Sequence, residues 1–170
     1  VRITGEIWVI LEQAATRQVE RWLGSRPHPR VWVDREYSTM QWWHTHVVPA
    51  RRAVQREQAI IAAARPWLGR AVGGHGQLSV GHVALAPQEG IDGVLHVFPF
   101  TCMPEIIAQN IIVRVAEALD VPVLSYIVSE QTGEAGMETR LESFLDLLEE
   151  RRDAQRARQA AFDRLLELTS

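Results

Sequence analysis

Short apolar runs alternate with segments of helical periodicity along most of this chain. Residues 3–11, 30–33, 94–98 and 123–128 are mostly apolar and β-prone, so each predicts a buried strand. The segments between them carry apolar residues at spacings of three and four, which predicts helices. A strand, helix, strand order implies right-handed crossovers between parallel strands. The pattern therefore predicts an α/β fold with a parallel sheet flanked by helices.

The ends of several predicted helices are marked by capping residues. Ser38 or Thr39 caps a helix that continues to His46, and Gly24 follows the end of another. Pro104 suits the first turn of the helix after the third strand, where its missing N–H costs nothing. The predicted helices cover residues 12–23, 39–46, 53–68 and 104–118, with a short one through Ala84 after the glycine-rich stretch 73–77 and a last one from about Met137.

The last helix changes character along its length. Its apolar face is continuous as far as Leu148, and residues 149–158 are then rich in Arg, Gln and Asp. An apolar patch returns at residues 161–168, and such a patch normally packs on something. We expect an α/β domain over residues 1–148 and a protruding C-terminal helix over residues 149–170 that contacts a second subunit in a homodimer, or the rest of a longer polypeptide. The first ten residues resemble a core strand without an initiator Met, which also favours a longer polypeptide.

The only cysteine lies where a buried strand meets a helix. Cys102 follows the strand at residues 94–98 and precedes Pro104. Backbone N–H groups and the positive end of the helix dipole stabilise a thiolate there, and open α/β sheets bind their ligands at this edge. Cys102 is therefore a candidate metal ligand or reactive thiol, with a small buried side chain as the alternative.

Two other segments are candidates for the same edge. The loop at residues 129–136 follows the next strand, so Glu130, Thr132 and Glu134 are expected to line one pocket with Cys102, unless the loop is an ordinary solvated turn. The stretch at 73–77 would cradle phosphate on its N–H groups, but it lacks the P-loop lysine and the dinucleotide-binding spacing, which favours a plain loop. His44 and His46 are two apart on a helix and point to different faces, which disfavours a shared metal.

Composition narrows the class of protein. The 170 residues are 46% hydrophobic and 23% charged, which suits one domain with a proper core. A net charge of −3 and a pI near 6.1 give no footprint for nucleic acid or an anionic membrane. No apolar run is long enough to span a bilayer, and one cysteine excludes an internal disulfide framework. These features favour a cytoplasmic protein.

Six short motifs taken together resemble one family, the C-terminal part of CoA-substrate-specific enzyme activases. Those proteins are relatives of the iron–sulfur subunits of 2-hydroxyacyl-CoA dehydratase and benzoyl-CoA reductase. The similarity is good over residues 73–148 and looser over the N-terminal third. The motifs are Gly73-Gly74-His75-Gly76-Gln77, Gly90-Ile91-Asp92-Gly93, Pro99-Phe100-Thr101-Cys102-Met103-Pro104-Glu105, Pro122-Val123-Leu124, Thr132-Gly133-Glu134-Ala135-Gly136 and Thr139-Arg140-Leu141-Glu142.

The resemblance implies a flavodoxin-like fold in which Cys102 is one ligand of a [4Fe-4S] cluster. An ATP-hydrolysing activator domain or subunit would feed low-potential electrons to that cluster, and the cluster would reduce a thioester or a related substrate. The residues expected near the cluster are His75, Gly76, Thr101, Glu105, Glu130, Thr132 and Glu134.

The chain departs from that pattern because a [4Fe-4S] cluster needs three or four cysteines and this sequence has one. The other ligands would have to lie outside it, and without the ATPase motifs it should not hydrolyse ATP or be active alone. One alternative is a non-catalytic scaffold or dimerisation domain that keeps the fold without the cluster. Another is a thiol enzyme in which Cys102 pairs with His75 or His96.

Overall fold

In the part of the chain that the structure describes, four parallel strands form one sheet. The computed structural model describes residues 1–12, 14–15, 19–26, 31–35, 38–129 and 134–169, and only the backbone of residues 134, 135, 168 and 169. The strand order is β2-β1-β3-β4, which is the order of a flavodoxin-like α/β fold and confirms the predicted class. The strands are β1 (Arg2–Gly5), β2 (Asp34–Arg35), β3 (Val94–Pro99) and β4 (Val123–Val128).

Helices cover both faces of the sheet. Leu95 and Val97 of β3 pack in one apolar cluster with the helices at 7–25 and the start of the last helix, whereas Val94 packs in a second cluster with the helices at 76–85 and 103–119. The alternation along the strand produces this division, since successive side chains point to opposite faces. The helices are α1 (Ile7–Leu11), α2 (Val19–Ser25), α3 (Thr39–His46), α4 (Arg51–Ala64), α5 (Gly76–Leu85), α6 (Met103–Leu119) and α7 (Glu134–Thr169).

The strand order reverses between β1 and β3. From β1 the chain moves outward to β2 on one side, and from β3 it moves outward to β4 on the other. The connections that leave the carboxyl ends of β1 and β3 therefore diverge and leave a crevice between them, which is where open α/β sheets bind ligands. Cys102 follows β3 directly, so it lies at this crevice.

Three predicted segments in the first third are wrong or shifted. The strand predicted at 3–11 ends at Gly5, whose φ of 138° no strand continues, and α1 begins two residues later with the Glu6 carboxylate accepting from the Val9 N–H. The strand predicted at 30–33 is shifted. Residues 31–33 are not in a strand, residue 30 lies outside the described part, and β2 begins only at Asp34. A helix is predicted at 12–23, but the described helix, α2, begins only at Val19. An apolar run alone does not show whether a segment forms a short buried strand or a short buried helix.

Buried charge holds the amino edge of the sheet together. The Arg2 side chain is 4% exposed, donates from Nε and Nη2 to Asp34 Oδ2 at 2.9 and 2.6 Å, and donates from Nη1 to Glu89. Arg56 of α4 binds the same Glu89 carboxylate. The hydrogen bond from Arg56, which is the largest effect, and the one from Arg2 lower the pKa of Glu89 to about 2, although desolvation of the carboxylate opposes them. The network ties β1, β2, α4 and the segment after α5 into one unit.

His82 makes the fold sensitive to acid. It is fully buried in α5, and desolvation, followed by the charges of Arg2 and Arg56, lowers its pKa from 6.5 to about 3. Between pH 6.5 and 3 the unfolded chain binds a proton at this residue that the folded protein does not, so the free energy of unfolding falls as pH falls through that window. We expect His82 alone to remove about 2 kcal/mol at pH 5 relative to pH 7.5.

Urea unfolding of wild-type protein and His82→Leu at pH 7.5 and 5.0 measures this contribution. The lowered pKa of Glu89 affects wild type and His82→Leu alike, so it cancels when their losses are compared. The His82→Leu variant should lose less stability on acidification than wild type, and Val113→Ser on α6, which removes an exposed side chain without a titratable group, should behave as wild type does. Equal losses for wild type and His82→Leu would contradict the assignment.

Candidate functional site

The turn between β3 and α6 holds Cys102 as predicted, at the amino end of a 17-residue helix. The Cys102 N–H donates to the Pro99 carbonyl, and the Cys102 carbonyl accepts the first helical bond from Ile106, both at 3.0 Å. Pro104 lies in the first turn of α6. The Cys102 side chain is partly exposed, so it is neither a core residue nor a fully solvated one.

The glycine-rich loop lies directly against this turn. A Cβ on Gly76 would lie 2.5 Å from the Pro104 carbonyl oxygen, and one on Gly74 would lie 3.3 Å from the proline ring. Gly73 and Gly74 also have positive φ angles of 87° and 46°. Only glycine allows both the close approach and the turn, so these residues bring the start of α5 beside the start of α6.

His75 is the N-cap residue of α5 and is half-buried. Its side chain makes no capping hydrogen bond with the helix, and neither does the thiol of Cys102 at the start of α6. Two helix starts, each with a positive dipole end, therefore meet at the carboxyl edge of the sheet. Desolvation lowers the pKa of His75, with Glu105 and Glu6 opposing it, so His75 is neutral at pH 7 and adds no positive charge.

Glu6 forms the opposite wall of the crevice. Its backbone N–H donates to the Val97 carbonyl at 3.0 Å, which fixes it at the end of β1 beside β3. The sequence analysis does not include this residue among the site residues, because the apolar run at 3–11 predicts one uninterrupted strand. The signal was present, since a Gly-Glu pair interrupts that run at the point where a helix cap is needed.

A buried ion-pair geometry lies behind the thiol. His96 Nε2 is 2.8 Å from Glu105 Oε2, and both side chains are 0% exposed. The His96 ring stacks on Phe98 with ring centroids 4.6 Å apart. Glu105 Oε1 and His96 Nδ1 have no hydrogen-bond partner within the described residues. Glu105 was expected near a pocket, but its carboxylate is enclosed in the protein, and His96 contacts Glu105 rather than acting as a partner of Cys102.

The electrostatics of the site do not favour a free thiolate. Burial raises the pKa of Cys102 above its usual 9.0, and the charges of Glu105 and Glu6 raise it further. The Glu105 backbone N–H lowers it, but this does not offset the other effects. The expectation of an ionised thiol was wrong, because it counted the helix dipole and omitted the desolvation of the partly buried sulfur, which is the largest effect, and the charges of Glu105 and Glu6. At neutral pH the sulfur carries its proton.

The other expected site residues are scattered or not described. Thr101 is exposed in the turn before Cys102. Glu130 and Thr132 lie outside the described residues, and Glu134 is the first residue of α7, described by its backbone alone. His46 is engaged within and beside α3, where it stacks on Trp42 with centroids 5.5 Å apart.

No protein-family model, curated protein or solved structure matches this chain. What the candidate site can bind therefore follows from its own donor groups. Across the described ranges no three or more His, Cys, Asp or Glu side chains are grouped to hold a metal ion. Among the same residues no helix is both long enough and apolar enough to cross a bilayer.

Exposed apolar side chains accompany Cys102 at this edge. Phe100 and Met103 flank it in sequence and are 67% and 64% exposed, and Trp8 of α1, which follows Glu6, is 63% exposed. Large apolar groups exposed together mark a surface that contacts another molecule. The arrangement offers one partly exposed thiol, two helix starts and an apolar border.

Proposed function

We propose that this domain supplies one thiolate ligand, Cys102, to an iron–sulfur centre whose other ligands belong to a different domain or subunit. The position of Cys102 supports this most strongly: it lies at the crevice where the strand order reverses, beside two helix starts without side-chain caps. A [4Fe-4S] cluster, when bound, supplies a one-electron carrier of low potential. The proposed role is in ATP-driven electron transfer of the kind used by CoA enzyme activases and 2-hydroxyacyl-CoA dehydratases.

The site offers one thiol, that of Cys102, and so can supply one ligand to a cluster. The partly exposed thiol is reachable, and a metal ion displaces its proton, so a raised pKa is compatible with ligation. Backbone N–H groups at the starts of α5 and α6 would donate to cluster sulfides and raise the reduction potential. The described residues hold no group that completes the site. Two or three further cysteine ligands would therefore come from elsewhere.

A partner that brings those ligands would also cover the apolar border. Phe100 and Met103 would exclude water from the centre once they are buried by the partner. Low dielectric around a cluster is one of the means by which a protein sets its potential. The ATP-hydrolysing activator domain or subunit expected from the sequence is a separate partner.

We expect Cys102→Ala to lower the iron content of the protein by at least half, because a cluster that loses one thiolate is held less tightly. The protein that contains this sequence is purified anaerobically from the organism that produces it, and iron and acid-labile sulfide are measured per chain. The control is Val113→Ala, which changes an exposed residue farther along α6 and should retain wild-type iron. Iron content unchanged by Cys102→Ala would exclude the ligand role.

A non-catalytic scaffold is the second candidate, and the protonated state of Cys102 favours it. A domain that has lost its cluster would keep the fold and the glycine packing but hold no iron in any purification. Wild-type protein free of iron and sulfide, with an unchanged oligomeric state in Cys102→Ala, would favour the scaffold over the cluster domain.

A further inference from the structure

Helix α3 leaves an apolar surface uncovered. None of its side chains is buried, and five large apolar side chains in and just after it are exposed: Met40, Trp42, Trp43, Val47 and Val48, which together form the α3 patch. At about 100° per residue, the exposed positions occupy one arc of about 160° that runs from Trp42 through Trp43 and Val47 to Met40. Residues 41, 44 and 45 lie on the other side and are half-buried, so the patch faces solvent as one surface.

Backbone hydrogen bonds at the end of α3 hold the α3 patch in shape. The Val48 N–H donates to the Trp43 carbonyl at 3.0 Å, and the Ala50 N–H donates to the His44 carbonyl at 2.7 Å. These bonds close the turn between α3 and α4, and α3 packs on α4. The apolar side chains are therefore presented in advance, and little conformational order has to be gained when they are covered.

Positive charge lies next to the α3 patch. Residues 38–56 contain no Asp or Glu, and Arg51 and Arg52 are exposed in the first turn of α4. Neither of these two arginines forms an ion pair with a described residue, whereas Arg56 is bound to Glu89. The net charge of −3 of the whole chain therefore conceals a local surface that attracts anions.

The two arginines are unfavourable for the helix that carries them. The positive end of the helix dipole repels cations, and α4 has neither an acidic residue in its first turn nor a side-chain hydrogen bond from Ala50, its N-cap residue. Negative charge placed against Arg51 and Arg52 would relieve this repulsion and accept hydrogen bonds from the N–H groups of the first turn. The start of α4 therefore favours an anionic partner, beside a patch that favours an apolar one.

We propose that the α3 patch and the start of α4 dock together on an anionic lipid surface. Tryptophan and basic side chains are typical of the boundary between headgroups and acyl chains. Val47 and Val48 would enter the apolar layer, and Arg51 and Arg52 would contact the phosphate groups. A nucleic acid would stack on the indoles but leave the valines against its charged backbone, so lipid fits the surface better. The protein would lie on the membrane without crossing it.

This surface is separate from Cys102. Helix α4 begins one to two turns before Arg56, which binds Glu89 at the amino edge of the sheet, whereas Cys102 follows the carboxyl end of β3. Lipid binding therefore does not depend on the proposed iron–sulfur role. Cys102→Ala should bind vesicles as wild type does, whatever its iron content.

Co-sedimentation with vesicles tests the role of charge. We expect the protein to bind vesicles of equimolar phosphatidylcholine and phosphatidylglycerol, and to bind phosphatidylcholine vesicles far less. Arg51→Gln/Arg52→Gln should weaken binding about thirtyfold, because each basic residue at an anionic surface contributes about fivefold. Arg65→Gln/Arg70→Gln is the matched control, since it removes two exposed arginines at and beyond the end of α4 and gives the same net charge. It should bind nearly as wild type does.

Fluorescence quenching tests which side chains enter the lipid. The anionic vesicles are prepared with bromine atoms on the acyl chains, which quench the indoles that reach them. Quenching should be lost in Trp42→Phe/Trp43→Phe, which keeps the patch apolar and should still bind the vesicles. Trp8→Phe is the matched control, because it removes an exposed indole from α1, and it should be quenched as wild type is.

Four results would overturn the proposal. No binding to the anionic vesicles excludes a lipid partner, including the case in which a protein or a nucleic acid covers the α3 patch. Equal binding to both kinds of vesicle contradicts the role of charge. Equal weakening by the two double arginine variants indicates attraction by overall charge rather than by the start of α4. Quenching that survives Trp42→Phe/Trp43→Phe places the lipid contact elsewhere.

Discussion

Replacing Gly5 by alanine is expected to prevent folding or to lower the free energy of unfolding by more than about 4 kcal/mol. A Cβ at this position would lie 1.8 Å from the Val97 carbonyl oxygen, which belongs to the backbone of the neighbouring strand. The residue also has a φ of 138°, which side chains rarely allow. Relief would require β1 to separate from β3, so the whole centre of the sheet is affected.

Gly24→Ala is the matched control for this substitution. Gly24 lies in α2, and a Cβ there would meet no atom within 4 Å. Alanine should stabilise the helix by up to about 1 kcal/mol. Urea unfolding followed by circular dichroism compares the two variants with wild type. A Gly5→Ala protein that unfolds at the wild-type midpoint would mean that the end of β1 does not approach β3 so closely.

Breaking the His96–Glu105 pair is the second large effect. His96→Leu leaves the carboxylate of Glu105 buried without its hydrogen bond to the imidazole, and removal of one partner from such a pair costs about 3 kcal/mol or more. Glu105→Gln retains a polar group that can contact His96 and should cost less. The double variant His96→Leu/Glu105→Leu removes both partners, so it should be more stable than His96→Leu alone.

Urea midpoints of the three variants and wild type measure this coupling. The pH dependence of Cys102 alkylation supplies an independent readout, because the negative charge of Glu105 raises the pKa of the thiol. Glu105→Gln should therefore shift the alkylation profile toward lower pH, whereas Glu12→Gln, at the exposed residue that follows α1, should not. A His96→Leu protein as stable as wild type would contradict the pairing.

The strand-to-helix turn that carries Cys102 was predictable because local signals agreed there. A six-residue strand, a proline in the first helical turn and a long amphipathic helix follow one another without interruption. The start of α3 was equally clear, and its Ser38 hydroxyl accepts from the Gln41 N–H at 3.0 Å. Where a capping residue and the apolar period point to the same boundary, the sequence is sufficient.

The surroundings of Cys102 were less predictable, because they depend on contacts between distant segments. Glu6 is brought to the thiol by strand order, and strand order cannot be read from an apolar run. His96 and Glu105 are nine residues apart on a strand and a helix, and their contact depends on how α6 packs on β3. The error about the ionised thiol has the same origin in part, since the burial of the sulfur and the approach of Glu6 depend on tertiary structure, whereas Glu105 lies in the first turn of the helix that Cys102 caps.

The direction of α7 separates two surfaces of the molecule. The helix leaves the body beside Asp120 and Asp92, at the amino edge, while the sulfur lies past the opposite end of the strands. A molecule bound at either end therefore does not obstruct the other end. A change at the exposed end of the helix should therefore leave the surroundings of the sulfur unaltered.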